Sequence, residues 1–251
     1  MAYLPRNRGR FALVLVATAA AALIAAAATR AEAPHVTKLT VKVDSIRNGG
    51  TIPQEYAFCV PSAQGHSANG PNKNPAIRWS KGPYGTQSYA LIVVDTDVPS
   101  VFDDANKEGK TIPAGMKRIN FYHMILVDIP LAKTSLAEGA DANGITQGGK
   151  TPGPTANGIR GINDYTSAFT GDPKMAGNYG GYDGPCPPWN DKRLHHYHFR
   201  VYALDVPSLV LTGTFGAKEA EAAIAKHILA KGELVGTYTQ NPDLMKPKKH
   251  S

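Results

Sequence analysis

Gly180-Gly181-Tyr182-Asp183-Gly184-Pro185-Cys186-Pro187-Pro188, followed by His195-His196-Tyr197-His198-Phe199, is the stretch on which the fold turns. The first part is loop chemistry: glycines admit unusual backbone angles and leave amides open to a ligand, and prolines fix the path. From Tyr197 to Leu204 the residues Tyr-His-Phe-Arg-Val-Tyr-Ala-Leu have strand composition. A stiff loop therefore feeds a strand that begins with histidines and a tyrosine, which predicts a small polar pocket at the edge of a sheet.

Working outward, residues 88–94 and 120–129 read as strong strands. The continuous run Leu91-Ile92-Val93-Val94 predicts burial on both faces. Shorter strands are expected over 39–43, 76–79 and 234–238, while residues 51–74 read mostly as loop. Residues 139–184 hold 12 glycines in 46 positions, a stretch expected to be functional or mobile. A helix is predicted over 214–231, capped by Thr214 and ended by Gly232, with Glu219 and Glu221 early and Lys226, His227 and Lys231 late. Many strands and one late helix predict a mainly β, two-sheet domain. Neither an internal repeat nor an inter-domain linker is present, so the domain is taken as residues 34–240, with 241–251 a basic, disordered tail.

The start of the chain has a different character. Arg6, Arg8 and Arg10 precede nineteen uncharged residues, 11–29, and Ala31-Glu32-Ala33 carries small residues at cleavage-site spacing. This pattern predicts a signal peptide over residues 1–33 and a periplasmic or secreted protein; the competing reading is an uncleaved anchor. The whole chain has a formal charge of +7; removing 1–33 takes away four arginines and one glutamate and leaves +4, too mild a charge to indicate nucleic acid. The only cysteines, Cys59 and Cys186, are either a disulfide formed in an oxidising compartment or two separate buried thiols.

Asp95 and Asp97 are two apart, so an extended chain points both to one face, where they frame a site or form a solvated turn. His123, the one group of the apolar run 121–127 that titrates near neutral pH, is either a buried neutral histidine or a ligand-facing donor. His195 and Tyr197 share a face, with His196 and His198 on the other. Two histidines and two aspartates are a conceivable zinc set, but no metal-binding spacing accompanies them, and neither metal nor cofactor is expected. Gly65-His66-Ser67-Ala68-Asn69 lacks the final glycine and the preceding strand of a nucleophile elbow, and no phosphate-binding loop or dinucleotide fingerprint occurs. The Gly/Pro loop is therefore read as an anion nest of backbone amides.

Taken together, these motifs resemble one family. Asp95-Thr-Asp-Val-Pro99 is similar to its D-P-D-x-P motif, and His123, opening a run that ends Asp-Ile-Pro130, is similar to its H-W-V-V-x-N-I-P strand. Gly181-Tyr-Asp-Gly-Pro-Cys-Pro-Pro188, His195-x-Tyr197 and Tyr202-Ala-Leu-Asp205 resemble G-Y-x-G-P-C-P-P, H-x-Y and Y-A-L-D. The chain resembles the phosphatidylethanolamine-binding protein family, in its bacterial Raf kinase inhibitor-like branch, from Leu39 to about Thr239. Thr96, Met124 and Asp128 depart from the pattern, replacing its proline, tryptophan and asparagine.

The resemblance implies a two-sheet β fold with peripheral helices and a small pocket for phosphate-like anions such as lipid head groups. It implies that Asp95 and Asp97 frame the pocket, that His123, His195 and Tyr197 point into it, and that the Gly184-Pro185-Cys186 backbone receives the anion oxygens. The leading expectation is a binding protein without turnover. The alternatives are a protein-interaction module that inhibits a protease or kinase-like partner, and a hydrolase using the His/Asp pocket. The oligomeric state is left open. For export, N-terminal sequencing of the mature protein should begin between Ala28 and Pro34; an intact Met1 in a membrane fraction would establish the anchor instead.

Overall fold

The dominant sheet has eight strands and is built around two long central ones, Ser88–Pro99 and His195–Leu204, which pair antiparallel from Tyr197↔Asp95 to Leu204↔Ser88. The structure, a computed structural model, describes Met1 and residues 36–245. The expected signal peptide, 1–33, and the tail from Lys246 onward lie outside the described residues, whereas Pro242–Met245, assigned to the tail from sequence, forms one helical turn. From one edge, the sheet runs Thr37–Lys38, Ile228–Tyr238, His195–Leu204, Ser88–Pro99, Arg118–Pro130, Gly158–Arg160 and Gly153–Thr155; Gly50–Thr51 also pairs with Ile228–Tyr238.

Both faces of the sheet are covered, as the apolar run predicts. Tyr89, Leu91 and Val93 belong to one core with Met124, Leu126, Phe199 and Val201, closed by a small sheet of Val41–Val43, Ile77–Trp79 and Ser135–Leu136. Ala90, Ile92 and Val94 belong to a second core with Ile125, Val127, Phe215, Ala220 and Ile224. Alternation along a strand sends neighbouring residues to these two cores.

The late helix is shorter than predicted. It spans Ala217–Ile224, and the Glu219 carboxylate accepts the Gly216 N–H at 3.1 Å, so the cap lies at Gly216 and not Thr214. Residues 228–231, predicted to be helical, instead begin the strand Ile228–Tyr238, whose pairing with His195–Leu204 runs almost its full length. Ladder formation along a central strand outweighs helix propensity, which is a weak prior. Gly232 is accordingly no helix stop: a Cβ there would meet the Leu39 carbonyl at 2.2 Å, so close backbone approach requires glycine. Within the predicted loop 51–74, Cys59–Ser62 and His66–Asn69 form a hairpin.

The glycine-rich stretch 139–184 is tied to the core. It contains the hairpin Gly153–Thr155/Gly158–Arg160 and the helical turn Tyr165–Ala168. Arg160 Nε donates to Asp141 at 2.7 Å, and Lys150 Nζ donates to the fully buried Asp183 at 2.8 Å. Cys59 and Cys186 are bonded, so of the two sequence readings the disulfide holds. It fastens the Cys59–Ser62 strand to the Gly/Pro loop across 127 residues of chain. In the chain-entropy description, a loop of that length is worth about 4–5 kcal/mol, and loss of a native disulfide typically costs about 2–5 kcal/mol. Replacing Cys59 and Cys186 together by alanine should lower the urea midpoint correspondingly; an unchanged midpoint would show that the bond contributes nothing to stability.

Candidate functional site

His195 lies at the start of its strand and is fully buried. Its Nδ1 is 2.6 Å from Asp95 Oδ2 and its Nε2 is 3.2 Å from Asp191 Oδ2. Burial works to lower its pKa, but the two carboxylates prevail and raise it to about 9. His195 is therefore an imidazolium at neutral pH, donating from both nitrogens. Arg118 closes the cluster, donating to Asp191 from Nη1 at 2.6 Å and from Nη2 at 3.0 Å. Two cations and two carboxylates cancel one another inside the protein. The sequence-based expectation that His195 presents a nitrogen to a ligand is thus not met, because both nitrogens are occupied.

Asp97 behaves differently from Asp95. A bulge between Asp95 and Val98 breaks the two-residue alternation, and the carboxylates take different partners. Asp97 accepts from Arg193 Nε, from the His196 N–H at 3.0 Å and from His196 Nδ1 at 2.7 Å. Burial works to raise its pKa, but His196 and Arg193 hold it below the ordinary carboxylate value. Asp97 thus anchors the residue before Tyr197, and the common face predicted for the two aspartates is lost to the bulge.

His123 and Tyr197 do come together, with ring centroids 5.1 Å apart, in an aromatic surround that includes Phe121 and Tyr165. His123 Nδ1 is 2.7 Å from the Asp183 carbonyl and must donate to it, which leaves Nε2 as an acceptor in the neutral ring. Burial pushes its pKa below the ordinary histidine value against the pull of Asp95, so the ring is neutral at pH 7. The Tyr197 hydroxyl is buried close enough to Asp95 for the carboxylate to add to burial in raising its pKa, yet no partner lies in hydrogen-bonding geometry with it. A buried hydroxyl without a partner costs roughly 1–3 kcal/mol.

The Gly/Pro loop is less open than predicted. Gly184 N–H donates to Asn72 Oδ1 at 2.8 Å, Tyr182 N–H to Asp141 Oδ2 at 2.6 Å and Asp183 N–H to the His123 carbonyl at 2.9 Å. Pro185 has no N–H, and its carbonyl accepts from Phe58 and Cys59. Of the three residues expected to receive an anion, Cys186 alone keeps a backbone N–H without a hydrogen bond among the described residues. Glycine is needed at 184 for packing, because a Cβ would lie 1.9 Å from the Tyr56 carbonyl. The anion-nest reading therefore gives way to a packed loop with one open amide.

Sequence reasoning missed Asp191, Arg118 and Asn72. Asp191 stands four residues before His195 outside regular structure, and Arg118 and Asn72 are distant in sequence, so only the fold brings them to the site. Among the described residues, no group of three His, Cys, Asp or Glu side chains is arranged to hold a metal ion.

A family profile described as phosphatidylethanolamine-binding protein matches residues 42–239. A UPF0098 protein of Pyrococcus horikoshii is 31% identical over 202 residues, covering 80% of this chain and 77% of its own length. The UPF0098 protein YbcL of Escherichia coli K12 is 26% identical over 198 residues, covering 79% and 86%. The crystal structure of E. coli YbcL, described as a new member of the mammalian PEBP family, superimposes with a TM-score of 0.57 at 24% identity, covering 81% of this chain and 99% of that one. A homologue from Chlamydia trachomatis, CT736, superimposes with a TM-score of 0.52 at 25% identity, covering 80% and 97%.

The charged cluster has a pH signature. Because the pKa of His195 rises from 6.5 to about 9 on folding, its contribution is complete below pH 6.5 and is lost as pH climbs towards 9. The loss is at most about 3.5 kcal/mol. Urea midpoints should fall between pH 6.5 and 9, and His195→Gln should be destabilised and lack that slope. A wild-type midpoint that stays level across this window would mean that His195 is neutral.

Proposed function

We propose a function from one premise: the chain belongs to the phosphatidylethanolamine-binding protein family. Its role is that of an exported binding protein without turnover, taking a small phosphate-bearing anion, such as a phospholipid head group, at His123 and Tyr197. The Cys186 N–H completes the contacts. Asp95, Asp97 and His195 hold the site in place, and Gly184 and Pro185 set the path of the loop beside it. The periplasmic or secreted location is supported by the leading sequence pattern and by the disulfide, a bond that persists in oxidising compartments.

The observation that carries this reading is the Tyr197 hydroxyl, buried with no partner in hydrogen-bonding geometry, on a ring packed against His123. Tyr197 would donate to an ionised phosphate oxygen, and His123 Nε2 would accept from a phosphate oxygen that still carries its proton. Such a pair suits the singly protonated form of a phosphate monoester. The second ionisation of phosphate monoesters lies near pH 6 (roughly), so binding should weaken as the ligand loses that proton. His195 contributes no change over the same range, since it stays charged up to about pH 9.

Calorimetric titration of phosphoethanolamine at pH 5.5 and pH 8 tests this. Tighter binding is expected at the lower pH. Tyr197→Phe should weaken binding about tenfold, because a hydrogen bond to a charged group is worth ~1.5–3 kcal/mol. His66→Ala, in the exposed strand His66–Asn69 of the hairpin, should have no effect. Equal affinities for wild type and Tyr197→Phe would remove Tyr197 from the site.

A further inference from the structure

A groove of about 880 Å³ lies on the side of the sheet opposite Tyr197. It is walled by residues 36–41, by Arg200 and Tyr202 of the His195–Leu204 strand, and by Lys231 and Glu233 of the neighbouring strand. Side chains of the His195–Leu204 strand alternate between fully and partly buried, so Tyr197 points to the inner core while Arg200 and Tyr202 point into the groove. The volume falls within the usual span of small-molecule sites, about 300–1,000 Å³.

Its charges are unbalanced in one direction. Lys38 and Lys231 are direct cross-strand partners in a parallel pairing, so both ammonium groups leave the sheet on the same side. Both are exposed, and neither has an acidic partner among the described residues. Two like charges one strand spacing apart repel, and natural sequences break such local rules chiefly at functional sites. Arg200 projects into the same groove. The one carboxylate there, Glu233, is already engaged by Arg200 Nε at 3.3 Å and by His198 Nδ1 at 3.1 Å. Arg200 also meets the Tyr202 hydroxyl, and beyond Glu233 its guanidinium has no carboxylate partner among the described residues. The acceptor is occupied and the lysine donors are open.

We propose that this groove is a second binding site, for a small polyanion whose neighbouring phosphate or carboxylate groups lie between Lys38, Lys231 and Arg200. Such a ligand would relieve the lysine–lysine repulsion and take a bidentate contact from the Arg200 guanidinium. The groove is separate from the site proposed at His123 and Tyr197 and does not depend on it.

Inorganic pyrophosphate is a suitable probe, titrated at low ionic strength in a phosphate-free buffer. Wild type is expected to bind it, the double variant Lys38→Gln/Lys231→Gln to lose the groove binding event by at least tenfold in affinity, and Tyr197→Phe to retain that event even where binding at His123 and Tyr197 is lost. Without ligand, Lys231→Gln should melt at the same temperature as wild type or higher, because one of two repelling charges is gone. The proposal is overturned if wild type fails to bind millimolar pyrophosphate, or if the double variant binds like wild type. It is equally overturned if Tyr197→Phe alone abolishes binding, which would assign the anion to the other pocket, or if Lys231→Gln melts lower.

Discussion

Two buried carboxylates, Asp95 and Asp191, share one buried imidazolium, and the organisation of the site depends on that arrangement. An isolated buried charge is prohibitively unfavourable, so none of the three groups is stable there without the others. With Arg118 added, the set is neutral, and it links the end of the Ser88–Pro99 strand, the start of His195–Leu204, the loop before it and the first residue of Arg118–Pro130. Neutrality also bears on the anion site proposed at His123 and Tyr197. Asp95 stands beside the Tyr197 hydroxyl, and an uncompensated carboxylate there would repel any anion. The imidazolium removes that repulsion, so a histidine that touches no ligand sets the electrostatics that Tyr197 and His123 experience.

Around this cluster the glycine- and proline-rich loop is held by side chains from elsewhere. Asp183 accepts from Asn72, Asn163 and Lys150, each at 2.8 Å, while Asp141 binds Arg160 and the Tyr182 amide. These contacts turn a segment of loop composition into a fixed wall. The rigidity of the site therefore comes less from the prolines than from two buried aspartates whose partners are nearly all polar side chains of neighbouring loops.

Much of the fold was legible in the sequence, for identifiable reasons. The run Leu91–Val94 announced burial on both faces because only a doubly covered strand tolerates four consecutive apolar residues. The motif order from Asp95 to Tyr202 indicated the family and brought His123 and Tyr197 to one place. What misled was local pattern without tertiary context. Residues 228–231 carry helical spacing but complete the longest ladder beside the central strand. Asp95 and Asp97 have strand spacing, yet a bulge separates their roles. Gly184 looks like an open amide until Asn72, more than a hundred residues away, occupies it. In each case a partner remote in sequence decided the outcome.

The order of strands in the large sheet has a consequence for how the chain comes to be folded. Ser88–Pro99 pairs with the next long strand, Arg118–Pro130, but its other edge is filled by His195–Leu204, which begins 65 residues after Pro130. Until that segment has been made, the apolar strand Ser88–Pro99 has an unpaired edge and one face without its full core. Such an edge is a template for pairing between molecules. The pairings that remove it are non-local, and non-local pairing is slow. The disulfide between Cys59 and Cys186 joins the same two parts of the chain, so the thiol of Cys59 waits through the same interval. Assembly of this β domain is therefore limited by the arrival of its central strand, and the nascent protein is most prone to aggregation just before the histidines at the site take their places.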